Sequence, residues 1–596
     1  MDMNQWQPAD GQVMTRWARD VDPGASLPEY PRPQLVRPDW LNLNGLWSYA
    51  VTPGEPPVAY QGRILVPFPI ESSLSGVGRA LHPHETLWYE RTFVVPPAWA
   101  SRHVLLHFGA VDWLAVVSLN GKLLGEHRGG YLPFSFDISS FLIEGANELV
   151  VQVQDPTDTS SQPRGKQTLK PGGILYTAVS GIWQTVWLEP VPELHIESAT
   201  VTPDVGTGTV SVLVVTTTAA NINVTVRDRD RVVSETAGPS GTPILLKIPE
   251  AHLWSPDDPH LYDLDVTIPS GDKVTSYFGM RSFGMARDPQ GHQRLTLNGE
   301  VYFQHGLLDQ GYWPDGLYAA PTDEALLYDV ELARRLGYNM IRKHMKVEPL
   351  RWYYHCDRLG VIVWQDMPSG GDARNQMWLG FLALVGVQMR DDRPCGRRRL
   401  GREDGAGRRS FLGELTQIVD HLKGETCIAC WVPLNEGWGQ FDAATTADHV
   451  RRQDPTRLVD HASGWFDQGG GDLASVHRYI LRLRSPRRTS GRCFVLSEYG
   501  GYNLLVTDHV WRFDKVFGYR HFTSRAQLLE AYRSLIGDQL KPLIDRGLSA
   551  AVYTQTTDVE QETNGVVTYD REVIKFDEGA FRRINESVWH RSRVHP

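Results

Sequence analysis

A chain of 596 residues with 41% hydrophobic and 22% charged residues is too long for one ordinary core and too apolar for wholesale disorder, so two to four domains are expected. Its formal charge of −10 is spread along the sequence without the basic stripe that nucleic-acid binding requires, and no run of about 18 apolar residues marks a membrane span. Five cysteines fit a reducing compartment, and the first residues lack a basic stretch followed by an apolar run, so a cytoplasmic protein is expected.

Residues 1–192 read as all-β. Short alternating runs such as 91–95 and 148–153 are separated by Gly, Pro and Asn turns, and Asn120-Gly121 is a strong type I′ hairpin signal. The spacing predicts a sandwich of two antiparallel sheets. Residues 193–285 form a second β unit rich in Thr and Val, whose runs at 210–217, 221–226, 261–268 and 273–278 suit an immunoglobulin-like sandwich.

From residue 286 to 596 the texture changes to strand–helix alternation. Eight strand-like runs stand at 301–307, 338–346, 361–368, 428–436, 458–465, 476–479, 493–500 and 550–558. Helical patterns lie between several of them: one is capped by Thr322 and stops at Gly337, and others run over 348–360, 411–423, 443–453 and 524–546. This is the pattern of a (β/α)8 TIM barrel. An open doubly wound sheet is the alternative, although no phosphate-binding glycine fingerprint follows any strand. Between Met389 and Arg409 an Arg- and Gly-rich stretch without apolar periodicity reads as a weakly ordered, protease-sensitive loop at the barrel mouth. Cys427 and Cys430 form a CxxC inside an apolar strand, which reads as two inert core thiols; a zinc or redox site built on them is the competing reading.

Reactive groups of such a barrel sit at the C-terminal ends of its strands. Glu436 closes the fourth run, after Asn435, and Glu498 closes the seventh. A Glu ending an apolar strand carries a desolvation cost unless it is used or paired. Strands four and seven lie nearly opposite each other, so the two carboxylates can face one substrate, which is the constellation glycoside cleavage needs. The 19 Trp residues suit sugar stacking or, equally, the filling of β cores.

These motifs and several others resemble glycoside hydrolase family 2, which includes β-galactosidases, β-glucuronidases and β-mannosidases, over nearly the whole chain. Pro38-Asp39-Trp40-Leu41-Asn42-Leu43-Asn44-Gly45-Leu46-Trp47 is similar to the family's opening. His84-Glu85-Thr86-Leu87-Trp88-Tyr89-Glu90-Arg91 and Ser180-Gly181-Ile182-Trp183-Gln184 resemble its jelly-roll sugar-binding domain. Leu253-Trp254-Ser255-Pro256 and Tyr277-Phe278-Gly279-Met280-Arg281 resemble landmarks of its central sandwich. Asn435-Glu436 matches the family's acid/base motif after strand four, and Glu498-Tyr499-Gly500 its nucleophile motif after strand seven.

The resemblance implies a retaining exo-β-glycosidase acting on an oligosaccharide or glycoside. Glu436, protonated through a raised pKa, would donate to the leaving oxygen, and ionised Glu498 would attack the anomeric carbon. Asn435 would bond the sugar 2-hydroxyl, Arg342 would keep Glu498 ionised, and Tyr479 would orient it, unless Tyr479 is a core tyrosine. His344 and Trp465 complete the expected substrate site; His344 follows Arg342 by two residues where many members have three. The glucuronidases' Asn-any-Lys motif is missing from Glu562-Thr563-Asn564-Gly565-Val566-Val567. A neutral sugar is therefore expected, galactoside before glucoside or mannoside, with β-glucuronidase or β-mannosidase specificity as the alternative. No metal, cofactor, nucleic acid or membrane is expected, and a homo-oligomer is left open. A non-catalytic carbohydrate-binding protein on the same fold is the rival from another class.

Overall fold

The computed structural model describes residues 6–589, apart from positions 12, 270, 373–375 and 487–488. The first unit is a sandwich of a six-stranded and a four-stranded antiparallel sheet, closed over a core that includes Trp47, Tyr89, Leu106 and Val151. The hairpin Leu114–Leu119 to Lys122–Arg128 turns at Asn120-Gly121, both with positive φ (52° and 73°), as a type I′ turn requires. A second sandwich follows, of three and four strands, whose strands alternate buried and less buried residues around Val212, Val224 and Leu264.

The 253–256 and 277–281 runs at the end of this sandwich dock it onto the third unit. Trp254 is buried and donates through Nε1 to the Asp357 carbonyl (2.7 Å), while Arg281 Nε donates to the Thr426 carbonyl (2.8 Å). Both contacts fall beside the start of the fourth barrel strand.

The third unit is a nearly closed parallel barrel of eight strands. They are β1 (Gln304–Asp309), β2 (Met340–Lys343), β3 (Ile362–Asp366), β4 (Ile428–Val432), β5 (Leu458–Val459), β6 (Leu473–Arg478), β7 (Cys493–Gly500) and β8 (Leu548–Thr554), paired in the order β5-β4-β3-β2-β1-β8-β7-β6. Each lies in one of the runs expected from the sequence or overlaps it. Burial on both faces gives such strands their continuous apolar texture. Across the β5–β6 seam, where no ladder forms, the Val459 amide donates to Asp472 Oδ2, the Asp472 amide donates to the Val459 carbonyl (both 2.8 Å), and Ser475 Oγ bonds Asp460 Oδ1 (2.8 Å).

Helix α1 (Asp323–Arg335) is capped by Thr322, whose hydroxyl accepts from the Ala325 amide (3.1 Å), and α2 (Leu350–Leu359) ends on left-handed Gly360. Cys427 and Cys430 are buried and unpaired, and burial pushes both thiols well above their usual range. That suits inert core thiols. Among the described residues no helix is long and apolar enough to cross a membrane.

One expectation fails. The stretch 389–409 is not a loosely held loop. After α3 (Gln376–Leu384) it forms α4 (Pro394–Arg399) and enters α5 (Gly405–Leu422), which starts well before the predicted helix. Met389 and Leu400 pack with Leu379 and Phe466, Asp391 accepts from Gln440 Nε2 (2.9 Å) and the Ala443 amide (3.0 Å), and Arg402 is buried against Phe411. Its anchors are a few apolar residues and two buried charged ones, so apolar periodicity could not reveal it.

Candidate active site

The site stands where β2, β3, β4, β6 and β7 end. The β7 register slips against both neighbours: Ser475 pairs with Val495 but His477 with Glu498, and Leu496 pairs with Ala551 but Tyr499 with Tyr553. An extra residue near Ser497-Glu498 makes a β-bulge, which re-aims a side chain and frees a carbonyl. Glu498 thereby joins the site while Tyr499 turns into the core, where its hydroxyl bonds His305 Nε2 (2.8 Å). The freed Ser497 carbonyl accepts from Arg342 Nη1 (3.0 Å).

Arg342 organises the floor. It grips Asp366 through Nε and Nη2 (both 3.0 Å), reaches Glu498 Oε1 through Nη1 (3.2 Å) and Asn435 Oδ1 through Nη2 (2.9 Å). The guanidinium is fully buried, so its fork matters: planar bidentate pairing is what makes a buried cation tolerable. Asn435 Oδ1 is occupied by this contact, while its amide nitrogen has no hydrogen-bond partner among the described residues and is free to donate.

Glu436 follows with left-handed backbone (φ 51°), a conformation few non-glycine residues adopt, and its amide bonds the Ser463 carbonyl (3.0 Å). Its Oε1 meets His477 Nδ1 (2.6 Å), and His477 Nε2 lies 3.5 Å from Glu498 Oε1. A side chain on Gly464 would collide with the His477 ring at 2.3 Å, so glycine there makes room for the imidazole. Tyr479 bridges the two carboxylates: its hydroxyl donates to Glu498 Oε2 (2.6 Å) and lies 3.1 Å from Glu436 Oε1. The ring is held flat against Tyr519, with centroids 4.0 Å apart and planes within 3°.

Electrostatics separate the groups. Burial pushes the Glu498 carboxyl up, but His477, Arg342, His344 and the Tyr479 hydroxyl together hold it down at about 2. The Tyr479 phenol is pushed well above its usual range by burial and by both glutamates, so it stays a donor. Burial, followed by the charge of Lys166, pushes His344 well below the usual imidazole range, and its Nδ1 lies 2.6 Å from Asp366 Oδ2.

Of the residues singled out in the sequence, Glu436, Glu498, Asn435, Arg342, Tyr479 and His344 thus meet in one network. Trp465 does not join it: the ring packs against Gly380 of α3 and on the cluster of Leu379, Met389, Leu400 and Phe466. Sequence reasoning missed His477, although it lies two residues before Tyr479 and so shares its strand face. It also missed Asp366, a carboxylate ending an apolar strand like the two it found.

A carboxylate oxygen of Glu436, one of Glu498 and a ring nitrogen of His477 lie within 4.8 Å of one another, close enough to hold a metal ion. His477 and Tyr479 already engage those oxygens, so a metal would have to displace hydrogen bonds. Without one, the site offers an ionised carboxylate and a second carboxyl group facing it, with phenol, imidazole and amide donors around them.

Two β-sandwiches feeding a barrel with paired glutamates at the ends of β4 and β7 define a multidomain barrel protein of glycosidase architecture. Residues 64–192 match the model of the glycosyl hydrolases family 2 sugar-binding domain, and residues 194–281 that of glycosyl hydrolases family 2. Over these two stretches the chain is similar to glycoside hydrolase family 2. It is 24% identical over 450 residues to a β-glucuronidase of Rattus norvegicus, covering 66% of this chain and 62% of the relative. It is 24% identical over 327 residues to a β-galactosidase of Thermoanaerobacter pseudethanolicus, covering 52% and 43%. The chain therefore spans less than two thirds of the length of either relative. The solved β-D-glucuronidase of Dictyoglomus thermophilum shares its fold, with a TM-score of 0.72 at 18% identity over 95% of this chain and 99% of that one.

Proposed function

We propose that the protein is a retaining exo-β-glycosidase in which Glu498 is the nucleophile and Glu436 the acid/base. The observation that carries this reading is the approach of the two carboxylates to within 4.8 Å, with Glu498 held ionised. Retaining enzymes hold their carboxyls about 5–5.5 Å apart, whereas inverting ones need about 6.5–9.5 Å for an intervening water. Glu498 would attack the anomeric carbon as Glu436 protonates the departing oxygen; Glu436 would then deprotonate the water that releases the sugar. Asn435, with its oxygen anchored on Arg342, would offer its amide hydrogens to the sugar 2-hydroxyl. Tyr479 stabilises the nucleophile's charge and would transfer its hydrogen bond as that charge is consumed.

For the sugar, a β-glucuronide ranks ahead of the galactoside favoured by the sequence alone. Two of the three relatives named above are β-glucuronidases, and one is a β-galactosidase. A panel of nitrophenyl β-glycosides assayed with the wild type, Glu498→Ala and Glu436→Ala tests the reading. Glu498→Ala should lose turnover of every substrate. Glu436→Ala should retain more activity on a good leaving group and recover part of its rate with azide. Near-normal activity of Glu498→Ala would refute the assignment, and a neutral glycoside leading the panel would refute the ranking.

A further inference from the structure

Lys166 belongs to the jelly-roll unit yet lies at the barrel site. Its loop is pinned to the turn after β3: Pro163 bridges Gly370, and the amides of Arg164 and Gly165 both donate to the Ser369 carbonyl (2.8 and 3.0 Å). At Gly165, with φ +63°, a Cβ would stand 2.6 Å from the Met345 carbonyl, so only glycine lets the loop approach this closely. Lys166 is consequently only 7% exposed. Among the described residues its ammonium has no hydrogen-bond acceptor and no ion-pair partner; its neighbours are ring faces, Tyr176 at 5.4 Å and Trp438 at 5.9 Å.

An ammonium on a nearly buried side chain, flanked by ring faces and without a protein acceptor, is left to pair with water or with a ligand. A second donor shares the deficit. Trp438 stands two residues beyond Glu436, and its indole Nε1 is buried without a partner. The charge of Lys166 also reaches His344, whose Nδ1 contacts Asp366, the carboxylate that Arg342 grips. Nearby carboxylates are otherwise engaged: Glu562 accepts from the Tyr176 hydroxyl and from Asn564 Nδ2. Two unsatisfied donors beside the acid/base loop, with no protein acceptor, describe a place for an anionic group of the substrate.

We propose that Lys166 is the residue that recognises the sugar's carboxylate, selecting β-linked uronides, with the Trp438 indole N–H as its auxiliary donor. This rests on the glycosidase reading above and deepens it. The specificity cation comes from the sandwich domain and crosses to the barrel, so the inter-domain contact at Ser369 is part of the substrate site.

The test compares nitrophenyl β-D-glucuronide with nitrophenyl β-D-glucoside, which differ only at C6, in the wild type, Lys166→Met and Lys166→Arg. The wild type should prefer the glucuronide. In Lys166→Met the ratio of the two kcat/KM values should fall by about 10- to 100-fold, mostly through KM, as expected for loss of a charged hydrogen bond. Lys166→Arg should restore part of it. A proportional fall for both substrates marks a structural role and overturns the proposal, as does wild-type preference for the glucoside or for its 6-sulfate. Calorimetric binding of D-glucuronate and D-glucose needs no turnover, so it tests Lys166 even if Glu498→Ala shows the catalytic reading to be wrong. Equal affinities of the wild type and Lys166→Met for D-glucuronate would overturn the proposal on that arm.

Discussion

Tyr479→Phe removes one hydroxyl and leaves the ring stacked on Tyr519. The lost bond, 2.6 Å from Glu498 Oε2, is charge-assisted and worth about 1.5–3 kcal/mol. At about 1.4 kcal/mol per tenfold change, the Glu498 carboxyl should rise from about 2 to about 3–4, still ionised at neutral pH. The acid limb of kcat/KM should therefore enter the accessible range in the variant while the wild type stays flat above pH 3, with folding checked by circular dichroism in the same buffers. Stability should follow the same group. Because the folded pKa lies below the ordinary 4.5, the ionised form stabilises the fold above about pH 4.5, by about 3 kcal/mol, and loses this as the pH falls towards 2. The variant should be less stable than the wild type at pH 5–6, and the difference should shrink on acidification. An unmoved acid limb in a folded variant would refute the role given to the Tyr479 hydroxyl.

Leu400→Ala opens the cluster under the barrel mouth and should cost about 2–5 kcal/mol, read as a lower Tm; limited proteolysis should cut within 389–409 in the variant, not in the native wild type. Rapid cutting of the wild type there would restore the loose-loop reading. Added Zn2+ should inhibit by occupying Glu436, His477 and Glu498, and His477→Ala should relieve it; chelators should leave activity unchanged, and activation by the metal would contradict this.

The barrel was legible because eight strands buried on both faces leave continuous apolar runs, and the paired glutamates because a carboxylate ending such a run is conspicuous. Arg342 and Tyr479 were reached through the resemblance, and the structure explains them by the bidentate grip on Asp366 and the bridge between carboxylates. What escaped the sequence depends on long-range geometry. The bulge that aims Glu498 exists only against β6 and β8, and Lys166 meets Trp438 across 272 positions of chain through a loop pinned on Ser369. Trp465, placed in the expected substrate site, packs its ring against Gly380 of α3 and stays outside the hydrogen-bond network. The 389–409 segment misled for a related reason: the folded state buries its charged residues Asp391 and Arg402, which composition assigns to solvent.

The catalytic assignment is tested most directly by trapping the glycosyl-enzyme. A 2-fluoro β-glycoside with a good leaving group slows breakdown of the covalent intermediate more than its formation, so the adduct accumulates. Peptide mapping by mass spectrometry should find the label on Glu498, one sugar per chain, with no label in Glu498→Ala. A label on another carboxylate, or inhibition-free turnover with no adduct at all, would contradict the retaining mechanism and the pairing of Glu436 with Glu498.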